Sequence, residues 1–246
     1  MLLKKTLLLL TLSPIFIFGQ TDIVSSQTSA RHQLLAKRPN PPRRIPPNKV
    51  KPGGGLDYGQ QSCSSEQKSL IALIPVENPV LTTQAHPSFL FYIPDRVAAM
   101  SHGEFSLFTT EDKTRIYSTE IALDSTPGII KIDLPPTSEN ALKANQPYHW
   151  YFKIYCKNQT SKNGSDSPTF LDVNGWIERV TSTDTRSSHI ETASPEIWYD
   201  AIALAAENLM ATPQDPTARE RWLKLLQHIN REHLLDVNIK SVTTDN

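Results

Sequence analysis

The chain has 246 residues, of which 38% are hydrophobic, 19 are Pro and only 9 are Gly. It is long enough for one sizeable domain and an appendage, and past the first twenty residues it has no stretch apolar enough to span a bilayer, which excludes a polytopic membrane protein. The formal charge is zero, but Met1–Leu56 holds nine Lys/Arg against one Asp and the remainder is net acidic, so a basic arm precedes an acidic body.

Residues 1–19 read as an export signal peptide. Lys4 and Lys5 form a basic start, Leu7 to Phe18 is largely apolar, and Gly19 is the small residue at the expected cleavage point. The apolar run falls short of the roughly 20 residues that a membrane helix needs. An uncleaved anchor is the rival reading; after removal of the signal, no transmembrane span is expected. The implied compartment is periplasmic or extracellular.

Residues 20–56 read as a disordered, basic, Pro-rich linker. The run Arg38-Pro39-Asn40-Pro41-Pro42-Arg43-Arg44 favours polyproline II, and Gly53-Gly54-Gly55 gives a flexible joint. Such an arm can make weak contact with an anionic surface through residues 31–51, or dock on the acidic body. The simpler reading is a spacer.

From about Leu70 to Val180 the period is mostly two, which predicts short antiparallel strands and a β-sandwich domain over 57–185. Phe89, Phe91 and Ile93 alternate; so do Phe105, Leu107 and Thr109, and then Tyr117, Thr119, Ile121 and Leu123. Glu111-Asp112-Lys113 reads as a hairpin turn. In Tyr148–Cys156 one face carries Tyr148, Trp150, Phe152, Ile154 and Cys156; the other carries His149, Tyr151, Lys153 and Tyr155. Val173–Val180 supplies a last strand, with Gly175 a bulge or a close approach. Cys63 and Cys156 are an even pair in an exported chain, which favours a structural disulfide; two separate buried thiols are the alternative.

From Ser194 the period becomes 3.6. Ser194-Pro195-Glu196 and Asp215-Pro216 both have helix-start chemistry. Trp198, Ile202, Ala205 and Leu209 share one face, and Trp222, Leu225, Leu226 and Ile229 another. Residues 194–230 therefore form a helical hairpin, expected to pack on the sandwich, and 231–246 a flexible tail. The stretch from Tyr199 to Trp222 resembles a junction between tetratricopeptide repeats, but one pair is too few for a solenoid.

Leu142 and Tyr148 resemble the tyrosine corner of fibronectin type III and other immunoglobulin-like sandwiches, which implies a structural role for Tyr148. The expected fold is thus mainly β: an immunoglobulin/fibronectin-like antiparallel sandwich followed by a C-terminal helical hairpin. Several longer stretches carry a family resemblance: Leu70–Pro75, His86–Pro94, Thr126–Ile130, Tyr148–Phe152, Gly175–Val180 and Ile197–Ala201. Together they resemble cyanobacterial exported proteins with the domain of unknown function 928. The resemblance implies a source and a compartment but no reaction, because that family has no established activity.

No glycine-rich phosphate loop, GxSxG, HExxH or CxxC is present, and the basic arm lacks the interleaved aromatics of a nucleic-acid binder. No catalytic, cofactor-binding or metal-binding residue is assigned, and no cofactor or nucleic acid is expected. Trp176, Trp198, Tyr199 and Trp222 are the candidate interaction aromatics, with burial in the seam between sandwich and helices as the alternative for the last three. Glu178, Arg179 and Asp200 are weighed as groove or recognition residues against ordinary surface charges. The expected function is a non-enzymatic protein-interaction module of the cell envelope with an unknown envelope protein as partner. The alternatives are an enzyme or binder acting on envelope polymers, or a structural component held by its basic arm.

Overall fold

The computed structural model describes residues 63, 70–76, 80–94, 100–123, 128–157 and 170–242. The signal at 1–19, the linker at 20–56 and the surface contact at 31–51 lie outside the described residues. The fold is mainly β, with two sheets and helices toward the C-terminus. The strands are β1 (Ile71–Ala72), β2 (Leu81–Thr82), β3 (Ser88–Ile93), β4 (Met100–Thr109), β5 (Arg115–Ala122), β6 (Gly128–Asp133), β7 (Pro147–Cys156), β8 (Phe170–Arg179) and β9 (Ile239–Val242). The helices are α1 (Asp184–Glu191), α2 (Trp198–Ala211) and α3 (Pro216–His228).

One sheet has the order β1-β3-β6-β9 and the other β2-β8-β7-β4-β5. Pairing is antiparallel except at β2–β8 and β6–β9. The alternation in β7 does what its sequence dictates: Tyr148, Trp150, Phe152 and Ile154 are buried while His149, Tyr151, Lys153 and Tyr155 are half-buried on the opposite face. Phe89 and Phe91 of β3 meet them from the facing sheet, with Phe91 4.4 Å from Phe152 and 5.4 Å from Trp150 between ring centroids. Aromatic pairs of this kind add about 0.5–1.5 kcal/mol each beyond their buried area.

The β3–β6 sheet is buried on both faces. Leu90 and Lys131 pair across it and point opposite to Phe89 and Phe91, yet both are buried. The helices explain this, because α2 packs on β3 and its Glu207 reaches Lys131 Nζ at 3.1 Å. Burial alone would depress the Lys131 ammonium; hydrogen bonds and charge from Asp133 and Glu207 outweigh it, so its pKa lies above the usual lysine range.

The structure departs from the sequence reading at several points. Residues 231–242 are no free tail: a 3-10 turn at Glu232–Leu234 buries Leu234, and β9 adds a parallel strand to β6, with Ile129 opposite Ile239. Four residues are too few to show a period, so the pairing is legible only in three dimensions. α1 occupies the gap between 185 and 194; it buries nothing and has no apolar stripe, hence no 3.6 signal. Ser194-Pro195-Glu196 opens the helical segment through a 3-10 turn at Pro195–Ile197 that runs directly into α2, but the Ser194 side chain makes no cap bond. Asp215, in contrast, caps α3 through Thr217 N at 3.1 Å. Gly175 is a close approach and no bulge: the β7–β8 register runs unbroken through it, and a Cβ there would lie 2.4 Å from Trp150 Cζ2.

Candidate functional site

The five-stranded sheet buries one face against the core and leaves the other open. Its open face is built from transverse rows, because cross-strand partners point the same way. Trp176, His149 and Phe108 form one row across β8, β7 and β4. Asn174, Tyr151 and Ser106 form the next, and Asp172, Lys153 and Glu104 the one after. Phe170 and Tyr155 close the series. A groove of about 780 Å³ runs over these rows, bordered at the β4–β5 hairpin by Thr109, Thr110, Lys113 and Arg115. Lys113 takes a left-handed φ of 58° in that hairpin, where Thr109 N donates to Thr114 O at 2.9 Å.

Packing between side chains holds the floor in place. The His149 and Trp176 rings are stacked, with centroids 4.2 Å apart and planes 2° from parallel. With the proton on Nε2, His149 donates to Asn174 Oδ1 at 3.0 Å, and its Nδ1 accepts from the Tyr151 hydroxyl at 3.0 Å. Phe108 meets Tyr151 edge-on at 5.7 Å. His149 and Trp176 thus each cover a face of the other's ring, and Phe108 and Tyr151 brace one another edge to face.

The other end is acidic and ordered by hydrogen bonds. Tyr155 donates to Glu104 Oε2 at 2.8 Å, and burial together with that bond pushes the Tyr155 hydroxyl up to about 12. Burial and the nearby Asp172 charge raise Tyr151 in the same sense. Lys153 lies 5.3 Å over the Phe170 ring, between Asp172 and Glu104 in the register. Among the described residues no group of three or more His, Cys, Asp and Glu is placed to hold a metal ion.

The structure separates the residues that the sequence singles out. Cys63 and Cys156 are bonded, with Cα atoms 5.3 Å apart and a sequence separation of 93. Tyr148 Oη accepts the backbone N–H of Lys143 at 2.9 Å, one residue past buried Leu142. Trp176 lines the groove. Trp198, Tyr199 and Trp222 do not: all three are buried, in keeping with the seam alternative and not with an exposed contact surface. Trp198 Nε1 donates to Leu73 O at 2.8 Å, so the helical pair is sealed onto the sandwich.

The charged candidates also move. Asp200 is buried, neither recognition residue nor surface carboxylate: it accepts from Thr83 N at 3.0 Å and from the hydroxyls of Thr82 and Thr83, tying α2 to β2. Arg179 donates to Thr83 O at 3.2 Å and Leu142 O at 2.8 Å, outside the groove. Glu178 is raised by burial and is not among the groove residues. The outward set on β7 is legible from its alternation. Phe108, Glu104, Asp172 and Asn174 are missed, because only the strand pairing shows that they extend that set sideways.

Two sheets, a helical pair sealed onto them and an open aromatic face define a β-sandwich protein with a surface groove. The family model for the Domain of Unknown Function (DUF928) matches residues 52–239, and the chain belongs to that family. No curated protein and no solved structure matches it.

Proposed function

We propose that the protein is an exported, non-enzymatic binding module of the cell envelope, whose contact surface is the groove on the five-stranded sheet. The observation that carries this reading is the face itself. Rings of Trp176, His149, Phe108 and Tyr151 stand half-buried on it, whereas elsewhere the large apolar side chains are almost all in the core. Concave faces with aromatic walls and a few convergent polar groups are where ligands bind. The burial of Trp198, Tyr199 and Trp222 moves the expected contact from the helices to this sheet.

The strand order supports an immunoglobulin/fibronectin-like sandwich. β1, β3 and β6 stand where the A, B and E strands stand in that fold, and β5, β4, β7 and β8 where C′, C, F and G stand. The Tyr148–Lys143 bond at the entry to β7 supports the tyrosine-corner reading. The disulfide supports an oxidising compartment, in keeping with the signal read at 1–19 and a cyanobacterial envelope. The described residues contain no helix long and apolar enough to cross a membrane.

The alternative of a binder acting on envelope polymers is favoured over a protein partner by the mixed donors and acceptors of the groove, Ser106, Lys153, Asp172 and Glu104. The test is fractionation of the cells that make the protein. Tyr151→Ala/Lys153→Ala is expected to release it from the envelope fraction while still melting in one cooperative transition above the growth temperature, and Glu220→Ala/Lys224→Ala on α3 leaves it there. A groove variant retained as well as the parent would overturn the reading.

A further inference from the structure

We propose that the groove binds an acidic polysaccharide, with a uronate carboxylate at the Lys113–Arg115 end and sugar hydroxyls at the Glu104–Asp172 end. This rests on the binding-module reading and names its ligand class.

The floor of the groove decides between a peptide and a glycan. β7 lies in mid-sheet, and its backbone is used by the ladders to β4 and β8. A ligand lying there meets side chains only. A peptide bound as an added strand brings an N–H and a C=O with every residue and needs a free strand edge to satisfy them, which this floor lacks. A sugar brings hydroxyls, each of which donates and accepts. The carboxylates of Glu104 and Asp172, the ammonium of Lys153 and the Tyr151 hydroxyl suit that chemistry. The rings of Phe108 and Trp176 beside them offer apolar contact for the C–H faces of a pyranose.

Charge then decides which glycan. The hairpin also carries exposed Glu111 and Asp112, but Asp112 is held by Thr109 and Thr114 and neither acid lines the groove, whereas Lys113 and Arg115 do and have no ion-pair partner within the described residues. A carboxylate is the group that this end complements, and guanidinium–carboxylate pairs are the strong, directional ones.

A built-in reporter makes this testable. Trp150, Trp198 and Trp222 are 0% exposed, so Trp176 is the tryptophan that faces the groove. Purified full-length mature protein is run in native gels containing polygalacturonate, alginate, dextran or poly-glutamate, and its tryptophan emission is titrated with the same polymers. Retardation by polygalacturonate or alginate, with an emission change and weaker retardation by dextran and poly-glutamate, is expected. Lys113→Ala/Arg115→Ala should lose about tenfold or more in affinity for the uronates and keep the weak dextran interaction. Tyr151→Ala should weaken both, with each variant still melting in one cooperative transition above the assay temperature.

Failure of both uronates to retard the protein, equal retardation by poly-glutamate, or unchanged affinity in the Lys113/Arg115 variant would each overturn the proposal. Failure here with envelope release of the Tyr151/Lys153 variant intact removes the ligand class and leaves the binding module standing. Loss of that release removes the module itself.

Discussion

Trp150 Nε1 donates to Tyr199 Oη at 2.7 Å, joining the centre of the five-stranded sheet to the first turn of α2 inside the core. The Tyr199 hydroxyl in turn donates to Trp176 O at 3.2 Å. Two residues 49 apart in sequence thus link sandwich and helical pair through one hydroxyl. Tyr199→Phe keeps the ring, with its edge contact to Phe89 at 5.4 Å, and removes only the bonds. The buried indole N–H is then unsatisfied, so the variant should lose about 1–3 kcal/mol. Thermal melting reads this as a drop of about 2–4 °C per kcal/mol for a chain of this size. An unchanged melting temperature would show that the link stabilises nothing.

The second tie between helix and sandwich is Asp200. Its carboxylate accepts from two hydroxyls and one backbone N–H on β2 and the residue after it. Asp200→Asn retains shape but replaces one acceptor oxygen by a donor, which faces Thr82 or Thr83 without a match. Hydrogen bonds to a charged group are worth about 1.5–3 kcal/mol each, so urea unfolding should show at least that loss. A midpoint within error of the parent would contradict the assigned network.

These two ties also show where sequence reading stops. The fold class was legible because alternation in β3, β4, β5 and β7 places Phe89, Phe105, Tyr117 and Trp150 inward without reference to anything distant. The same alternation yields half of the groove, the outward His149, Tyr151 and Lys153. The other half lies on β4 and β8, and its membership depends on register, which local pattern does not encode. Asp200 looked like a surface carboxylate because a helix position says nothing about what lies opposite; Thr82 and Thr83 are more than a hundred residues away. β9 was lost for the same reason, a four-residue strand whose partner is β6.

Gly175 gives a sharper packing test. A Cβ at this position would lie 2.4 Å from Trp150 Cζ2 and 2.9 Å from Ile74 Cδ1. Trp150 is held by its bond to Tyr199 and cannot swing aside. Gly175→Ala should therefore destabilise by about 1–3 kcal/mol or more through overpacking, despite the usual small gain from replacing glycine. Tyr199→Phe frees the indole, so the double variant should lose less than the sum of the two. Additive losses would show that the indole moves independently of its hydrogen bond.

The Cys63–Cys156 bridge spans 93 residues, from the segment ahead of β1 to the end of β7. Closing a loop of that length removes denatured-state entropy worth about 4–5 kcal/mol in the chain-entropy model. Cys63→Ser/Cys156→Ser, or reduction of the parent, should lower stability by about 2–5 kcal/mol in urea titrations. The effect should be the same by either route, since both cysteines are used in this bond. Equal stability with and without reductant would mean that the bridge constrains little in the unfolded chain.

Alkaline pH should loosen the fold through Tyr155 and Lys131. Tyr155 holds its proton up to about 12, through burial first and the bond to Glu104 second, whereas an unfolded tyrosine releases it near 10. A pKa raised on folding stabilises fully below the unfolded value, and that stabilisation is lost as pH rises through the folded one. Lys131 is raised as well and acts in the same sense. Unfolding midpoints should therefore fall as pH climbs from about 10 toward 12. Tyr155→Phe should flatten that fall, and Glu104→Gln should bring the Tyr155 phenolate absorbance transition partway back, because burial remains when the bond to the carboxylate is weakened. A phenolate transition that ignores Glu104→Gln would show that the Tyr155–Glu104 bond does not set the behaviour of the acidic end of the groove.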